Sequence, residues 1–454
     1  MRRIALILWV AHAAFGQNPR AREIFRQLIE INTSVSTGAT TPAAEALAAR
    51  FRAAGFPEAD IHIFSPVSRK SNLVVRLRGA GAQRPILFIG HLDVVEALRA
   101  DWSFDPFIFR EEDGYFYGRG TQDMKDDDAI LVANFLRLKE EGFRPTRDFI
   151  LALTSDEEAG PDDGVEWLVR NHRDLIDATF CINGDGAGAA IGRKGRPLYF
   201  GVQSAEKGYS TFEIEVTNSG GHSSLPPKEN AIYQLTAALN RLARFEFPAA
   251  LNDVTRAWFR EMARVDPGPN AAEMKTIGSG QLDPQTVAKL SESVLPHALL
   301  HTTCVPTMVS AGHAENALPQ RATATVNCRI LPGDTTVGVE NAVRRALADE
   351  HLQIRALRAI ESSASPVSPL VFDPIRRAAA QVWPSVQVVP VMDTGGSDGA
   401  YLRRAGIDTY ALSGVFLDEA DIRAHGRDER VPVEAFYRGL EFTHRLLLEL
   451  GTPK

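Results

Sequence analysis

Three segments of this chain have the composition of buried β-strands, and each runs directly into acidic or imidazole side chains. Residues 85–90, 148–154 and 178–183 are mostly apolar, as expected of central strands that are covered on both faces. Helical patterns alternate with them, which favours a layered α/β sheet. Ligands of open α/β sheets bind beyond the carboxyl ends of the strands. The residues that follow these segments are therefore candidates for one shared site.

The residues that follow the three strands are potential metal ligands. His91 and Asp93 come after the first strand, Glu157 and Glu158 after the second, and Asp185 after the third. A single His-x-Asp sequence is a weak signal. Three strand ends that all carry such residues form a pattern, and that pattern predicts a metal centre.

Two more residues extend this set, although each has an ordinary explanation when taken alone. Asp123 precedes a predicted helix and reads as an N-cap, and His425 reads as a solvated loop residue. The combined set has two histidines, several carboxylates and no cysteine, which suits zinc, manganese or cobalt rather than calcium. Two metals about 3.5–4 Å apart can hold a bridging hydroxide. Of the neighbouring Glu157 and Glu158, one could ligate a metal while the other stays free to take the proton of a metal-bound water.

The character of the sequence changes near residue 207. Residues 210–216 and 322–330 alternate polar and apolar side chains, which is typical of half-exposed antiparallel strands. The earlier pattern returns after residue 362. We therefore predict an α/β domain that is split in sequence, residues 17–206 and 362–454, with an α+β domain inserted at residues 207–361.

The first sixteen residues read as a signal peptide, 1–16. Arg2 and Arg3 precede an apolar run at 4–10, and the small residues Ala14 and Gly16 offer a cleavage site. The run is short for a membrane span of about 20 residues. A membrane anchor and an apolar first helix of a cytosolic protein are the alternatives. We expect a secreted or periplasmic protein.

Composition excludes several classes of protein. Lys and Arg number 50 against 57 Asp and Glu, so the net charge of −7 provides no general attraction to nucleic acid or anionic membranes. Hydrophobic residues make up 44% of the chain, a globular value. Three cysteines are too few for a disulfide scaffold, and no pairing among them can be deduced. We expect no nucleic-acid partner and no membrane partner.

Four motifs together resemble a known enzyme family. They are GHLDVV at 90–95, GRGTQDMK at 118–125, DEEAG at 156–160 and GGHSS at 220–224. In order and spacing they are similar to the di-zinc metallopeptidases of the M20 family, which includes carboxypeptidase G, acetylornithine deacetylase, succinyl-diaminopimelate desuccinylase, aminoacylases and carnosinase-like dipeptidases. The resemblance covers nearly all of the chain after residue 16. It implies a discontinuous, zinc-peptidase-like catalytic domain with an inserted α+β dimerisation (lid) domain.

The resemblance implies two divalent metal ions, zinc first, with cobalt or manganese as alternatives. His91, Asp123 and Asp185 would hold one ion. Asp123, Glu158 and His425 would hold the other, so that Asp123 bridges the pair.

The resemblance also assigns catalytic roles. Glu157 would be the general base and acid, and Asp93 would hydrogen-bond the ring of His91 and fix its tautomer. His222, from the inserted domain, would reach the active site of a partner subunit in a homodimer and stabilise the oxyanion. Without the resemblance, His222 reads as a turn residue after two glycines.

Four further residues are assigned to the substrate. Arg329 and Asn316 would bind its carboxylate, which suits the planar fork of an arginine. Gly396 and Ser397 lie in a glycine loop whose backbone amides would hold the same carboxylate. Each of these signals is weak alone, because exposed arginines and glycine turns are common.

The sequence departs from the family pattern at three places. Asp126, Asp127 and Asp128 stand where many relatives have glycine, and we expect them only to cap and solvate the start of a helix. Asp185 is aspartate where several relatives carry glutamate, which favours small peptides and dipeptides as substrates. Residues 248–300 enlarge the lid, for a purpose that the sequence does not reveal.

The main hypothesis is a metal-dependent hydrolase that cleaves an amide bond in small peptides or dipeptides bearing a free carboxylate, by a metal-bridged hydroxide with Glu157 as base. A deacylase of N-acyl amino acids is the alternative. A catalytically silent binding protein on the same fold is less favoured, because the motifs lack neither a ligand nor the base.

Overall fold

The fold is described by a computed structural model that covers residues 18–81, 83–158, 163–186, 190–192, 196–266 and 268–452. The predicted signal peptide, residues 1–16, lies outside the described residues. Within the ranges given, no helix has both the length and the apolar character that a membrane span requires.

A mixed sheet of ten strands, the large sheet, forms the centre of the fold. Gln83–His91 lies inside it and runs parallel to Arg147–Thr154 on one side and to Phe180–Asn183 on the other. Asp408–Ala411, from late in the sequence, continues the sheet in parallel beside Phe180–Asn183. The carboxyl ends of these strands therefore meet at one edge. In spatial order nine of the strands are Ile61–Val67, Lys70–Leu77, Arg147–Thr154, Gln83–His91, Phe180–Asn183, Asp408–Ala411, Arg196–Glu206, Ala190–Gly192 and Leu417–Asp418, and Val388–Asp393 pairs with Arg196–Glu206.

Alternate residues of the central strands pack against two layers of helices. Leu87 and Ile150 belong to the apolar cluster of one face, and Phe88 and Leu151 belong to that of the other. Burial on both faces explains why these strands are almost wholly apolar. The first face is covered by Gly164–Asn171, Arg173–Ile176 and Gly399–Arg404, and the second by Pro19–Glu30, Thr41–Ala53, Lys125–Glu140, Pro369–Val382 and Val433–Gly451.

A second, antiparallel sheet, the four-stranded sheet, comes from the middle of the chain. Every second residue of Arg321–Ile330 is buried, which confirms the predicted alternation. The buried side chains pack on the helices Ala231–Leu242 and Thr336–Leu347. Cys304 and Cys328 lie opposite each other on neighbouring strands and form a disulfide. In spatial order the strands are Thr303–Ala311, Arg321–Ile330, Gly208–Thr217 and Gln353–Ile360.

Residues 248–300, which have no readable pattern in the sequence, contain four helices. Trp258 and Phe259 from this stretch pack in one apolar cluster with Val389 and Met392 of the large sheet. The stretch, which we expect to enlarge the lid, therefore also packs against the large sheet. The physical reason is that the apolar side of the large sheet needs a cover at this edge, and these helices supply it. The four helices are Asp253–Val265, Ala271–Gly278, Pro284–Ser291 and Val294–Leu300.

Two small β-structures complete the described strands. Arg430–Pro432, Tyr115–Tyr117 and Arg110–Glu112 form one sheet. Gly221–His222 and Ala317–Leu318 form a two-stranded ribbon. The first sheet ties a late segment of the chain to the loop that carries the GRGTQDMK motif, and so positions one side of the candidate site.

Candidate active site

The five predicted metal ligands converge at the carboxyl edge of the large sheet. His91 ends one central strand, and Glu158 and Asp185 follow the next two along the chain. Asp123 lies just before a helix, and His425 lies in a turn. Their ligand atoms form two groups, His91–Asp123–Asp185 and Asp123–Glu158–His425, and within each group all atoms lie within 4.8 Å of one another. Asp123 belongs to both groups, as the resemblance implies.

Asp123 lies between the two histidines. Its Oδ1 is 3.1 Å from Nε2 of His91, and its Oδ2 is 2.9 Å from Nε2 of His425. The same nitrogen of His425 is 3.0 Å from Oε1 of Glu158. The side chain of His91 is 1% exposed and that of His425 is 53% exposed. The cluster is therefore open to solvent on the His425 side.

Carboxylates dominate the electrostatics of this cluster and favour positive charge at both histidines. Hydrogen bonds to Asp123 and Glu158 raise the pKa of His425 to about 10. Burial alone would lower the pKa of His91, but its hydrogen bond with Asp123 and the charges of nearby acids hold that pKa well above its usual value. Burial raises the pKa of Asp185 to about 7. Geometry and charge both fit a site for cations.

The donor set fits two divalent metal ions. Each group offers imidazole nitrogen and carboxylate oxygen without thiolate, which is donor chemistry that zinc, manganese and cobalt accept. Two bound ions would also offset the repulsion among the crowded carboxylates. That repulsion is the physical reason to expect cations where so many acids meet.

The structure corrects one predicted contact of His91. Its Nδ1 lies 3.0 Å from the backbone carbonyl oxygen of Asp93, whereas the Asp93 Oδ1 is 3.9 Å away. The Asp93 carboxylate instead accepts hydrogen bonds from the backbone N–H groups of Glu157 and Glu158, at 3.3 and 3.1 Å. The carboxylate of Asp93 is thus engaged by these two backbone amides and not by the ring of His91. The carbonyl therefore orients the histidine ring, and the carboxylate holds the Glu157–Glu158 turn.

A left-handed residue precedes the pair of glutamates. Asp156 has a φ of 70°, which is uncommon for aspartate, and its buried carboxylate pairs with Lys70 at 2.7 Å.

Burial raises the pKa of Glu157 well above its ordinary value, and the charges of Asp185 and Glu158 raise it further. A carboxylate with a raised pKa is suited to accept and return a proton near neutral pH.

A buried ion pair joins the two loops that carry Asp123 and His425. Arg119 donates a hydrogen bond to Glu429, and the Glu429 carboxylate also accepts one from the backbone N–H of Gln122 at 2.6 Å. This contact fixes the residue next to the shared ligand. Sequence analysis did not identify Glu429, whose only signal is its position shortly after the histidine.

Comparison with known families decides the class of the protein. The profile of Peptidase family M20/M25/M40 matches residues 87–449. The chain belongs to this family. The resemblance that four motifs predict is thereby confirmed. With this ligand set, the M20-family protein is a metallopeptidase or amidohydrolase.

Two kinds of protein are similar to this M20-family chain in sequence. An N-fatty-acyl-amino acid synthase/hydrolase of Xenopus tropicalis is 29% identical over 381 residues, which cover 81% of this chain and 73% of the relative. A probable carboxypeptidase S-like protein of Dictyostelium discoideum is 28% identical over 410 residues, which cover 86% of this chain and 77% of the relative. Both share most of their length with this chain.

Solved structures show the same fold. An M20 family metallo-carboxypeptidase from Sulfolobus solfataricus has a TM-score of 0.71 at 18% identity, with 95% of this chain and 98% of the other covered. Human carnosine dipeptidase 1 has a TM-score of 0.64 at 14% identity, with 95% and 97% covered. The predicted fold class, a discontinuous α/β domain with an inserted α+β domain, is confirmed by these likenesses.

A cavity of about 430 Å³ lies between the ligand cluster and the four-stranded sheet. Glu157 and His425 line it from the edge of the large sheet, and Arg329 lines it from the four-stranded sheet. Gly396 and Ser397 line it from the loop after Val388–Asp393. Three of the four residues that the resemblance assigns to the substrate therefore share one space with the predicted base.

Two predicted residues lie elsewhere. His222 is exposed, and its Nδ1 accepts a hydrogen bond from the backbone N–H of Ser224 at 3.1 Å. Asn316 is also exposed, and its carbonyl oxygen accepts from the N–H of Ser223 at 3.0 Å. Neither is among the described residues that line the cavity. Within one chain, Asn316 does not share a site with Arg329.

The three aspartates at the start of the helix Lys125–Glu140 are buried, which corrects the expectation that they are solvated. Asp126, Asp127 and Asp128 are 2%, 7% and 0% exposed. Burial raises the pKa of Asp127 to about 7. The helix packs against the large sheet and two other helices, so its first turn has no solvent side. These acids therefore underlie the ligand cluster instead of capping a free helix end.

Sequence analysis missed several residues that line the cavity. Lys207 and Tyr209 lie where the four-stranded sheet begins, and Arg358 lies on its last strand. Asp163 and Tyr401 line the cavity from the large-sheet side. No motif marks these residues. Tyr209 and Arg329 are cross-strand partners, and only the polar and apolar alternation of their two strands could have suggested that they face the same way.

Proposed function

We propose that this protein hydrolyses the amide bond next to a free carboxylate in small peptides, dipeptides above all. The observation that supports this most directly is the shared cavity, in which the guanidinium of Arg329 and the carboxylate of Glu157 face the same space. Arginine pairs with carboxylates through two parallel hydrogen bonds. A substrate held by its carboxylate at Arg329 would present its last amide bond to the ligand cluster.

Residues of the chain bind the substrate and move the proton. Arg329 and the backbone of Gly396 and Ser397 orient the substrate carboxylate. Glu157 accepts a proton from the attacking water and returns it to the leaving nitrogen. Asp93 holds the turn that carries Glu157, through the backbone amide. Two divalent ions, when bound, would supply the acidity that makes water a nucleophile at neutral pH.

We further propose zinc as the native metal, with cobalt or manganese as alternatives, and a homodimer as the working form. Mixed imidazole and carboxylate donors support the choice of metal. The exposed ribbon that carries His222 and Asn316 supports the dimer, because these residues would reach a substrate only in the site of a second copy.

We also propose that the protein is exported to an oxidising compartment, secreted or periplasmic. The apolar segment at residues 4–10 after two arginines supports this. The pair of Cys304 and Cys328 supports it independently, because disulfides form and persist outside the cytosol.

A second candidate function is the hydrolysis of N-acyl amino acids. The observation that favours it is the similarity to N-fatty-acyl-amino acid synthase/hydrolases. An N-acyl amino acid offers the same amide bond beside the same carboxylate, so the residues around Glu157 and Arg329 would act unchanged. The two candidates differ only in what occupies the other side of the amide.

The test is a substrate panel with protein loaded with zinc, cobalt or manganese, and with EDTA as control. Dipeptides, N-acyl amino acids and the carboxamides of both are compared. We expect the carboxamides to react at least about tenfold more slowly, because a hydrogen bond between charged partners is lost. Arg329→Gln should remove that difference, whereas Arg321→Gln, at the exposed start of the same strand, should keep it.

Three outcomes separate the readings. Turnover of N-acyl amino acids without turnover of dipeptides would favour the second candidate. Equal rates for free acids and carboxamides would show that the substrate needs no free carboxylate. No turnover of any amide with any of the three metals would contradict both candidates.

A further inference from the structure

Two arginines lie over one tyrosine ring at the end of the four-stranded sheet. The guanidinium carbon of Arg329 is 5.0 Å from the ring centroid of Tyr209, and that of Arg358 is 5.9 Å away. Arg329 pairs with Tyr209 across one ladder, and Ile360, two residues after Arg358, pairs with Tyr209 across the other. All four residues line the cavity. The two cations therefore line the same cavity from the two strands that flank the strand of Tyr209.

Neither guanidinium is neutralised within the described part of the chain. No carboxylate of the described residues forms an ion pair with Arg329 or Arg358, and each guanidinium lies near the ring of Tyr209. Arg355, on the same strand as Arg358, has Glu213 as a partner at 2.8 Å. Two guanidiniums near one aromatic ring, with no carboxylate partner among the described residues, create a local excess of positive charge.

A third cation of the cavity does not share this role. Lys207 is buried, and its Nζ donates to the carbonyl oxygen of His301 at 2.6 Å. Burial lowers the pKa of Lys207 to about 7. The ammonium is therefore engaged by the protein itself, and the two arginines remain as the groups available to anions.

One arginine suffices for one carboxylate, because its fork accepts both oxygens. Arg329 is the residue that the proposed function assigns to the α-carboxylate. Arg358 then has no partner in a substrate that carries only one acidic group. The opposite side of the cavity, with Glu157 and Glu158, repels a second carboxylate.

We propose that Arg358 forms a second anion subsite, and that the preferred substrates carry an acidic residue at the carboxyl end. This inference rests on the proposed function. The α-carboxylate would bind Arg329 and the side-chain carboxylate would bind Arg358. Because each guanidinium carbon lies within 5.9 Å of the same ring centroid, the distance between the two bound carboxylates is limited. The two carboxylates of a single aspartate or glutamate fit this arrangement better than carboxylates at opposite ends of a substrate.

The test uses matched dipeptides that end in glutamate or in glutamine, which differ by charge and hardly in shape. For the metal-loaded wild-type protein we expect kcat/KM to be about tenfold higher for the glutamate peptide, as expected for one charged contact. Arg358→Gln should bring this ratio close to one. The control is Arg355→Gln, which should keep the wild-type ratio, because Arg355 is not among the described residues that line the cavity. Because Arg358 is exposed, added salt should reduce the preference.

Each other outcome counts against the proposal. A wild-type ratio near one, or a ratio that Arg358→Gln leaves unchanged, would overturn the subsite while turnover of the glutamine peptide still upholds the proposed function. A parallel pair, N-succinyl-leucine and N-butyryl-leucine, tests the other side of the amide. If Arg358→Gln abolished a preference for the succinyl compound instead, the second carboxylate would belong to the acyl group. If no peptide reacted, the proposed function itself would fail.

Discussion

Glu157 and Glu158 are neighbours in sequence with different surroundings. Oε1 of Glu158 lies 3.0 Å from the ring of His425 and belongs to a ligand group. Glu157 belongs to no such group among the described residues, and burial raises the pKa of its carboxyl.

This difference predicts two distinct losses. Glu157→Gln should lower kcat by roughly 10²–10⁴-fold, the usual loss for a positioned acid–base group, while bound metal stays near the wild-type amount. Glu158→Gln should lower the metal content itself. Metal analysis by mass spectrometry beside steady-state rates distinguishes them. Loss of metal in Glu157→Gln would contradict the role of Glu157 as a free base.

Lys207 predicts a pH dependence of stability. Its pKa is about 7 in the folded protein, because it is buried, and 10.5 in the unfolded chain. Between these values the unfolded chain binds more protons than the folded protein, so the contribution of Lys207 to the unfolding free energy rises with pH. Unfolding midpoints of wild type and Lys207→Met, measured from pH 6 to about pH 10, check this. Above about pH 7 the wild type should gain stability relative to the variant. A difference in stability that stays constant with pH would contradict the lowered pKa of Lys207.

The packing of the helices between residues 253 and 300 predicts an effect on stability. Trp258 is 4% exposed and packs with Val389 and Met392 of the large sheet. Trp258→Ala should lower the unfolding free energy by about 3–5 kcal/mol, the usual cost of emptying an aromatic site. Tyr233→Ala, on an exposed position of another helix (70%), is the control and should cost little. Denaturant unfolding measures both, and equal effects would place Trp258 outside a tight core.

The disulfide between neighbouring strands predicts a redox-dependent stability. Cys304 and Cys328 close a loop of 24 residues in sequence. Cys304→Ser should lower the unfolding free energy of the oxidised protein by about 3 kcal/mol, mostly through the unfolded chain. A reducing agent should destabilise the wild type to a similar extent and leave the variant unchanged. If the agent shifted both proteins equally, the pair would not be oxidised in solution.

The sequence predicts the central strands well because burial on both faces demands an apolar composition that few other structures share. Residues 85–90 and 148–154 lie inside strands at the expected places. The stretch 248–300 could not be assigned, because the surface that it covers, around Val389, is distant in sequence and decides which of its side chains are buried.

The site shows the same division between local and distant signals. Its ligands could be predicted because strand ends carry His91, Glu158 and Asp185 to one edge, and family motifs mark His91, Asp123 and Glu158. The burial of Asp126, Asp127 and Asp128 could not be predicted, because charged residues usually face solvent. Arg358 was missed, since an alternating strand residue has no distinctive signal until its neighbours are known.

We propose that the working form of the protein is a homodimer in which each active site uses residues of both copies. His222 and Asn316 lie together on an exposed ribbon outside the described cavity lining. The single substitution His222→Ala should lower turnover far more than it lowers the metal content, because the predicted role of His222 is to stabilise the oxyanion.

Mixed dimers test this arrangement directly. A dimer of one Glu157→Gln chain and one His222→Ala chain has one site with both groups intact. Co-refolding the two inactive variants should therefore restore about a quarter of wild-type activity. Each variant refolded alone is the control. No recovery, in samples shown by sedimentation to contain dimers, would mean that His222 does not act across the interface.

Asp123 has a further consequence for how the protein responds to its metal supply. One carboxylate belongs to both ligand groups, so occupancy of either group changes the state of a donor that the other needs. Thermodynamic linkage then requires each ion to alter the affinity of the other by the same factor. The two occupancies are thus not separately adjustable. During a titration with chelator, the loss of the two ions should therefore depart from the curve expected for two independent sites.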